Sequence, residues 1–144
     1  MCLHIMFTIY TKSGIISNME RERGKIKRLV WIGSSLSDLK EFPEDVKDVL
    51  GYALYQAQTG GKHPAAKPLK GFAGAGVMEI VEDYDTNTYR AVYTVKLADI
   101  VYVLHAFQKK SKSGIATPKK ELDLIKARLQ RAIEHYAGKE EKRT

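Results

Sequence analysis

Three stretches decide the fold: Val77-Met-Glu-Ile-Val-Glu-Asp-Tyr84, Tyr89-Arg-Ala-Val-Tyr-Thr-Val-Lys96 and Ile100-Val-Tyr-Val-Leu-His-Ala-Phe-Gln108. Each is rich in β-branched and aromatic residues and alternates with period two, the pattern of a strand. The links between them are Asp85-Thr86-Asn87-Thr88 and Leu97-Ala98-Asp99. A parallel pair needs a crossover of about a dozen residues, so links this short join antiparallel neighbours, and the three strands are predicted to form a meander. On the middle strand the alternation puts Arg90, Val92, Thr94 and Lys96 on one face, predicted exposed, and Tyr89, Ala91, Tyr93 and Val95 on the other. On the last strand it groups His105 and Phe107 with Val101 and Val103.

Outward from the meander, Lys27 to Ile32 reads as a first strand, and Ser34 and Ser35 offer hydroxyl caps to a short helix through Phe42. Pro43 restarts the helix. Val46, Val49, Leu50, Ala53, Leu54 and Ala57 recur at spacings of three and four from Glu44 to Gln58, with Glu44, Asp45 and Asp48 near the start, where the helix dipole favours acids. Gly60 and Gly61 end it. Residues 62–76 read as a loop carrying Lys67 and Lys70 between prolines and glycines. After the sheet, Thr117 is predicted to cap a last helix with Pro118 at its first position and an apolar stripe of Leu122, Ile125, Leu129, Ala132, Ile133 and Tyr136. The order predicts an α+β domain: a curved antiparallel sheet, made of the N-terminal strand plus the meander, with helices on one face.

The chain has 144 residues, enough for one domain with a single core, and 44% hydrophobic with 28% charged residues excludes wholesale disorder. A formal charge of +7 favours an anionic partner, such as a nucleic acid, an anionic surface or an acidic protein. The single cysteine, Cys2, makes an internal disulfide impossible and fits a reducing, cytoplasmic setting. Met1 to Tyr10 is apolar but about half the ~20 residues needed to span a bilayer, and it lacks the basic start and cleavage site of a signal peptide. The expected organisation is an N-terminal extension at 1–24, a domain at 25–138 and a charged tail at 139–144. Residues 1–18 are read either as disordered or as the product of a start codon upstream of Met19, against a terminal element that docks on the domain.

Gly71-Phe-Ala-Gly-Ala-Gly76 is not a dinucleotide loop, because it precedes a strand instead of opening a helix. Glu79 and Glu82 fall on opposite strand faces, so solvent exposure or a salt bridge accounts for each better than paired-carboxylate hydrolysis does. His4, His63, His105 and His135 share no ligand spacing, so neither a metal nor a cofactor is expected. Lys119, Lys120, Lys126, Arg128 and Arg131 read as a solvated helix face. Lys109 and Lys110, directly after an apolar strand and followed by Lys112, suit a polyanion, and Lys67, Lys70, Arg90 and Lys96 converge on them if the meander pairs as read.

Lys67-Pro-Leu-Lys-Gly71, Gly76-Val-Met-Glu-Ile80, Tyr89-Arg-Ala-Val-Tyr93, Val101-Tyr-Val-Leu-His-Ala-Phe-Gln-Lys-Lys110 and Thr117-Pro118 together resemble the phage-derived HigB-like branch of the RelE/ParE toxin superfamily. The resemblance spans about residues 27–136, and the motifs keep the family's order and spacing. It implies the toxin of a type II toxin–antitoxin pair: a compact, metal-independent RNA endonuclease that cuts mRNA in the ribosomal A site. Its implied partner is a helix-turn-helix antitoxin. By matching positions, Arg90 resembles the sheet arginine that holds the scissile phosphate, Lys67 and Lys70 the loop lysines, and Lys109 and Lys110 the paired lysines after the last strand. His105 is then expected in proton transfer, and Phe107 and Lys112 in binding RNA. Many relatives carry an arginine after the Glu-Ile pair, where this chain has Val81.

The implied chemistry needs no metal. A base takes the 2′-hydroxyl proton, cations stabilise charge on phosphorus, and an acid protonates the leaving 5′-oxygen. Arginine suits the second role because its planar fork grips two phosphate oxygens and stays charged. A histidine buried against the core is the competing reading of His105. Two other functions stay open on this sequence: a gyrase-inhibiting relative of the same superfamily, and a catalytically degenerate nucleic-acid- or ribosome-binding protein, for which Val81 is the motive.

Overall fold

The computed structural model describes residues 26–72, 74–109 and 117–143. Eight elements follow in order: β1 (Arg28–Trp31), α1 (Ser35–Lys40), α2 (Glu44–Gln58), β2 (Ala66–Pro68), β3 (Val77–Tyr84), β4 (Asn87–Thr94), β5 (Ile100–Lys109) and α3 (Lys119–Arg143). The strands form one sheet in the order β1-β5-β4-β3-β2. The meander is antiparallel as its short links require. Tyr84 pairs with Asn87 across a two-residue turn in which Asp85 takes a positive φ of 58°, a conformation that aspartate tolerates.

Three features differ from the sequence reading. First, β1 runs parallel to β5, Arg28 opposite Ile100 through Trp31 opposite Val103, so the sheet is mixed. Second, the segment read as a loop contains β2, antiparallel to β3, with Lys67 opposite Glu79. Pro68 is tolerated there because β2 is an edge strand whose outer side needs no ladder hydrogen bond.

Third, helices cover both faces of the sheet. Val46, Leu50, Ala53, Leu54 and Ala57 of α2 form one core with Ile80, Ala91, Tyr93, Val101 and Val103. Ile125 and Ala132 of α3 form a second with Val77, Val92, Tyr102 and Leu104. Neighbouring strand residues point to opposite faces, so the two clusters lie on opposite sides of the sheet. Burying each large aliphatic side chain contributes roughly 1.5–3 kcal/mol, and both clusters contain several that are fully buried, so neither helix is peripheral. The apolar run of β5 reflects this double cover, because a strand buried on both faces cannot show polar alternation.

The serines do not cap α1 through their side chains. Ser34 Oγ donates to Asp38 Oδ2, and Ser35 Oγ donates to the Val103 carbonyl, tying α1 to β5. At α3 the Pro118 carbonyl accepts from Glu121 and Leu122, and the helix continues through the charged segment at 139–143. Among the described residues no helix is long and apolar enough to cross a membrane.

The β4–β5 ladder carries one irregularity: Tyr93 pairs with Val103 but Val92 pairs with His105, leaving Leu104 as an extra residue. Such a bulge places two successive residues on one side of the strand. His105 and Phe107 therefore leave the face of Val101 and Val103, where strict alternation put them, and join the face of Val92 and Arg90 under α3.

Candidate functional site

Register across four strands sets three of the basic residues, Lys67, Arg90 and Lys109, on one face of the sheet. Lys67 stands opposite Glu79, Glu79 opposite Val92, Val81 opposite Arg90, Arg90 opposite Phe107, and Thr88 opposite Lys109. With side chains alternating along each strand, Lys67, Glu79, Val81, Arg90, Phe107 and Lys109 share the face that α3 enters. Val81 looks directly across at Arg90.

Arg90 is not exposed as its face was predicted to be; its side chain is 4% exposed. Arg90 Nη1 lies 3.2 Å from Glu79 Oε2 and donates at 3.0 Å to Thr117 Oγ1, just before α3. Lys67 Nζ approaches Glu79 Oε1 at 3.6 Å from a side chain that is 53% exposed. The salt-bridge reading of Glu79 therefore holds in a buried form: one carboxylate beneath the surface, held between a buried guanidinium and a solvent-facing ammonium. Thr117, expected as a helix cap, spends its hydroxyl on Arg90.

A second network adjoins the first. Arg128 Nη1 donates to the Leu104 carbonyl at 3.0 Å and lies 3.2 Å from His105 Nδ1, while Nη2 donates to Ser34 Oγ at 3.0 Å. A guanidinium only donates, so His105 Nδ1 is the acceptor, and Nε2 carries the proton that bonds Glu121 Oε2. Both ring nitrogens of His105 are thus engaged, and the residue is 5% exposed. That arrangement suits positioning better than proton shuttling. The His105 ring stacks on Phe107 with centroids 4.8 Å apart and planes inclined by 20°. Arg128, read as part of a solvated helix face, is 8% exposed, and burial lowers its pKa, with Asp38 opposing the shift. Lys119, Lys120, Lys126 and Arg131 are exposed as that reading expects.

Beside these residues lies a cavity of about 270 Å³ lined by Asp38, Glu41, Phe42, His105, Phe107 and Glu121, among others. Lys70 is exposed in the turn after β2. Lys110 and Lys112 lie outside the described residues. Among the described residues no group of His, Cys, Asp or Glu could hold a metal ion.

Sequence reasoning missed Thr117, Glu121 and Arg128. One available signal was the helical phase of α3: Glu121, Ile125, Arg128 and Ala132 follow one another at spacings of four and three, so Arg128 falls on the buried stripe. No comparable signal marked the bulge.

Comparison with known proteins gives three findings. Residues 37–130 match the family described as Phage derived protein Gp49-like (DUF891). No curated protein matches. Among solved structures, a chain of the RelBE2 toxin–antitoxin complex from Mycobacterium tuberculosis is similar at 19% identity and a TM-score of 0.36, over 60% of this chain and 94% of that one. With the family match covering more than half of its length, the chain belongs to the phage-derived Gp49-like family, a RelE-toxin-like family.

Proposed function

We propose that the protein is the toxin of a type II toxin–antitoxin pair and acts as a metal-independent, ribosome-dependent mRNA endonuclease. The observation that carries this reading is the shared face of Lys67, Glu79, Arg90, Phe107 and Lys109. In the proposed reaction Glu79 takes the proton of the 2′-hydroxyl, and the freed oxygen attacks the adjacent phosphorus. Arg90 and Lys67 stabilise the charge that builds on the phosphoryl oxygens. Lys109, with Lys110 next to it in sequence, protonates the leaving 5′-oxygen, giving a 2′,3′-cyclic phosphate and a 5′-hydroxyl. Arg90 exchanges the Glu79 carboxylate for the phosphate as substrate arrives, an exchange of one anion for another on the same fork.

Lys70 and Lys112 add charge along the RNA path, and His105 is a positioning residue for Phe107. The partners are mRNA in the ribosomal A site and a cognate helix-turn-helix antitoxin, which silences the toxin by covering this basic face. Induced expression followed by primer extension on cellular mRNA tests the reading. New 5′ ends inside coding frames are expected, lost in Lys67→Ala. Growth arrest with intact mRNA would sink the endonuclease assignment and leave the second reading, a toxin that binds without cutting, which the burial of Arg90 favours.

A further inference from the structure

We infer that the cavity beside Phe107 is a guanine-selective nucleobase pocket; the inference rests on the ribonuclease reading and gives it a substrate preference. At about 270 Å³ the cavity lies just under the ~300 Å³ lower end of small-molecule sites, the scale of one base. Phe107 stands directly opposite Arg90 in the β4–β5 ladder, where Cβ atoms are about 5 Å apart, so the cavity opens one side chain away from the proposed phosphate position. Phe42 and Phe107 supply apolar walls, the kind of surface on which an unstacked RNA base is received.

The polar lining then chooses the base. In a chain of formal charge +7, this cavity presents three carboxylates, Asp38, Glu41 and Glu121, which repel a phosphate but accept hydrogen bonds from a neutral base. Asp38 already accepts from Ser34, and Glu121 from His105. Glu41 is exposed and has no ion pair or side-chain hydrogen bond among the described residues. A carboxylate engaging through both oxygens needs two adjacent donors. Guanine offers them as N1–H and N2–H. In adenine and cytosine the amino group adjoins a ring nitrogen acceptor, and in uracil N3–H sits between two carbonyls, so each of these would set a lone pair against the carboxylate. A peptide strand added to β5 beyond the end of β1 fits less well, because the Ile32 amide and Ser35 Oγ already hold the Val103 carbonyl and set α1 beside that stretch.

Calorimetric titration of the full-length protein with the 3′-monophosphates of guanosine, adenosine, cytidine and uridine, and with acetyl-arginine amide, tests the assignment. Guanosine 3′-monophosphate should bind roughly tenfold more tightly than the other three, and Glu41→Gln should erase that ratio without changing the melting temperature. Equal affinities, a guanine preference that survives Glu41→Gln, or Glu41-dependent capture of the arginine amide in place of guanosine would each overturn it. Expression with primer extension separates the two readings. Cleavage with no guanosine at the cut removes the pocket and keeps the ribonuclease. Guanine selectivity without cleavage supports the pocket and removes the ribonuclease.

Discussion

Replacing Arg90 by alanine should destabilise the fold before it informs on catalysis. Among the described residues the substitution leaves the Glu79 carboxylate, 6% exposed, facing the Lys67 ammonium alone, at 3.6 Å on a side chain that is 53% exposed. Breaking one partner of a buried ion pair costs about 3–5 kcal/mol. Losing the hydrogen bond to Thr117 adds about 1 kcal/mol, and a half-exposed lysine returns no more than about 1 kcal/mol. The expected loss is therefore about 3–5 kcal/mol, a large fraction of the ~5–15 kcal/mol by which domains of this size are stable. Urea unfolding at neutral pH, with unchanged m-values, measures it. The companion variants are Glu79→Ala and the double Arg90→Ala/Glu79→Ala, which removes both charges and should cost less than the sum of the singles. A single-variant loss below about 1 kcal/mol, or strict additivity in the cycle, would refute the buried pair. Loss of toxicity in Arg90→Ala alone is consequently a poor test of chemistry, and the exposed Lys67 is the better probe.

Lys67→Ala should change stability by less than about 1 kcal/mol in the same urea assay while abolishing new mRNA ends, since a solvent-facing ammonium contributes little to folding. Gly33→Ala should lower stability by about 2 kcal/mol or more, read by thermal melting: φ is +57°, and the added Cβ would sit 2.8 Å from Arg128 Nε. Leu54→Ala, at a fully buried position of α2, should cost about 2–5 kcal/mol by urea unfolding. Burial raises the Tyr93 pKa to about 12, so its folded-state value lies above the ordinary value of 10.0. The associated stability is fully present below pH 10 and lost as pH rises towards 12, on the order of 2–3 kcal/mol in all. Ultraviolet titration of phenolate should show a step near pH 12 that Tyr93→Phe removes, while Tyr102, which burial also raises, still ionises above the ordinary range in that variant.

The meander was legible in the sequence because its links are too short for any other pairing. The long helices were legible because Val46 to Ala57 and Leu122 to Tyr136 keep helical spacing. The parallel partnership of β1 was not, since about 70 residues separate Arg28 from Ile100 and no local rule fixes so distant a register. Nor was β2, whose three residues lie between glycines and prolines. Double cover of the sheet was hidden because the apolar run of β5 fits one buried face or two. Within the site, Lys67, Arg90, Phe107 and Lys109 could be named from residue type and motif, but their gathering depended on cross-strand register. Leu104 and His105 look like ordinary members of the strand, so the shift in phase between them left no trace in the pattern. Charge alone made Arg128 look solvated, although its phase on α3 marked it as buried.

The surplus residue in β5 explains why an arginine is sunk into the neighbouring helix. With no partner opposite it, Leu104 turns its carbonyl to Arg128, and the same guanidinium reaches His105 and Ser34. The insertion and the arginine thus behave as one unit that rivets α3 and the start of α1 to the sheet. Relatives whose fifth strand is one residue shorter should have no need of a cation at the position of Arg128, so the two features are expected to be gained and lost together.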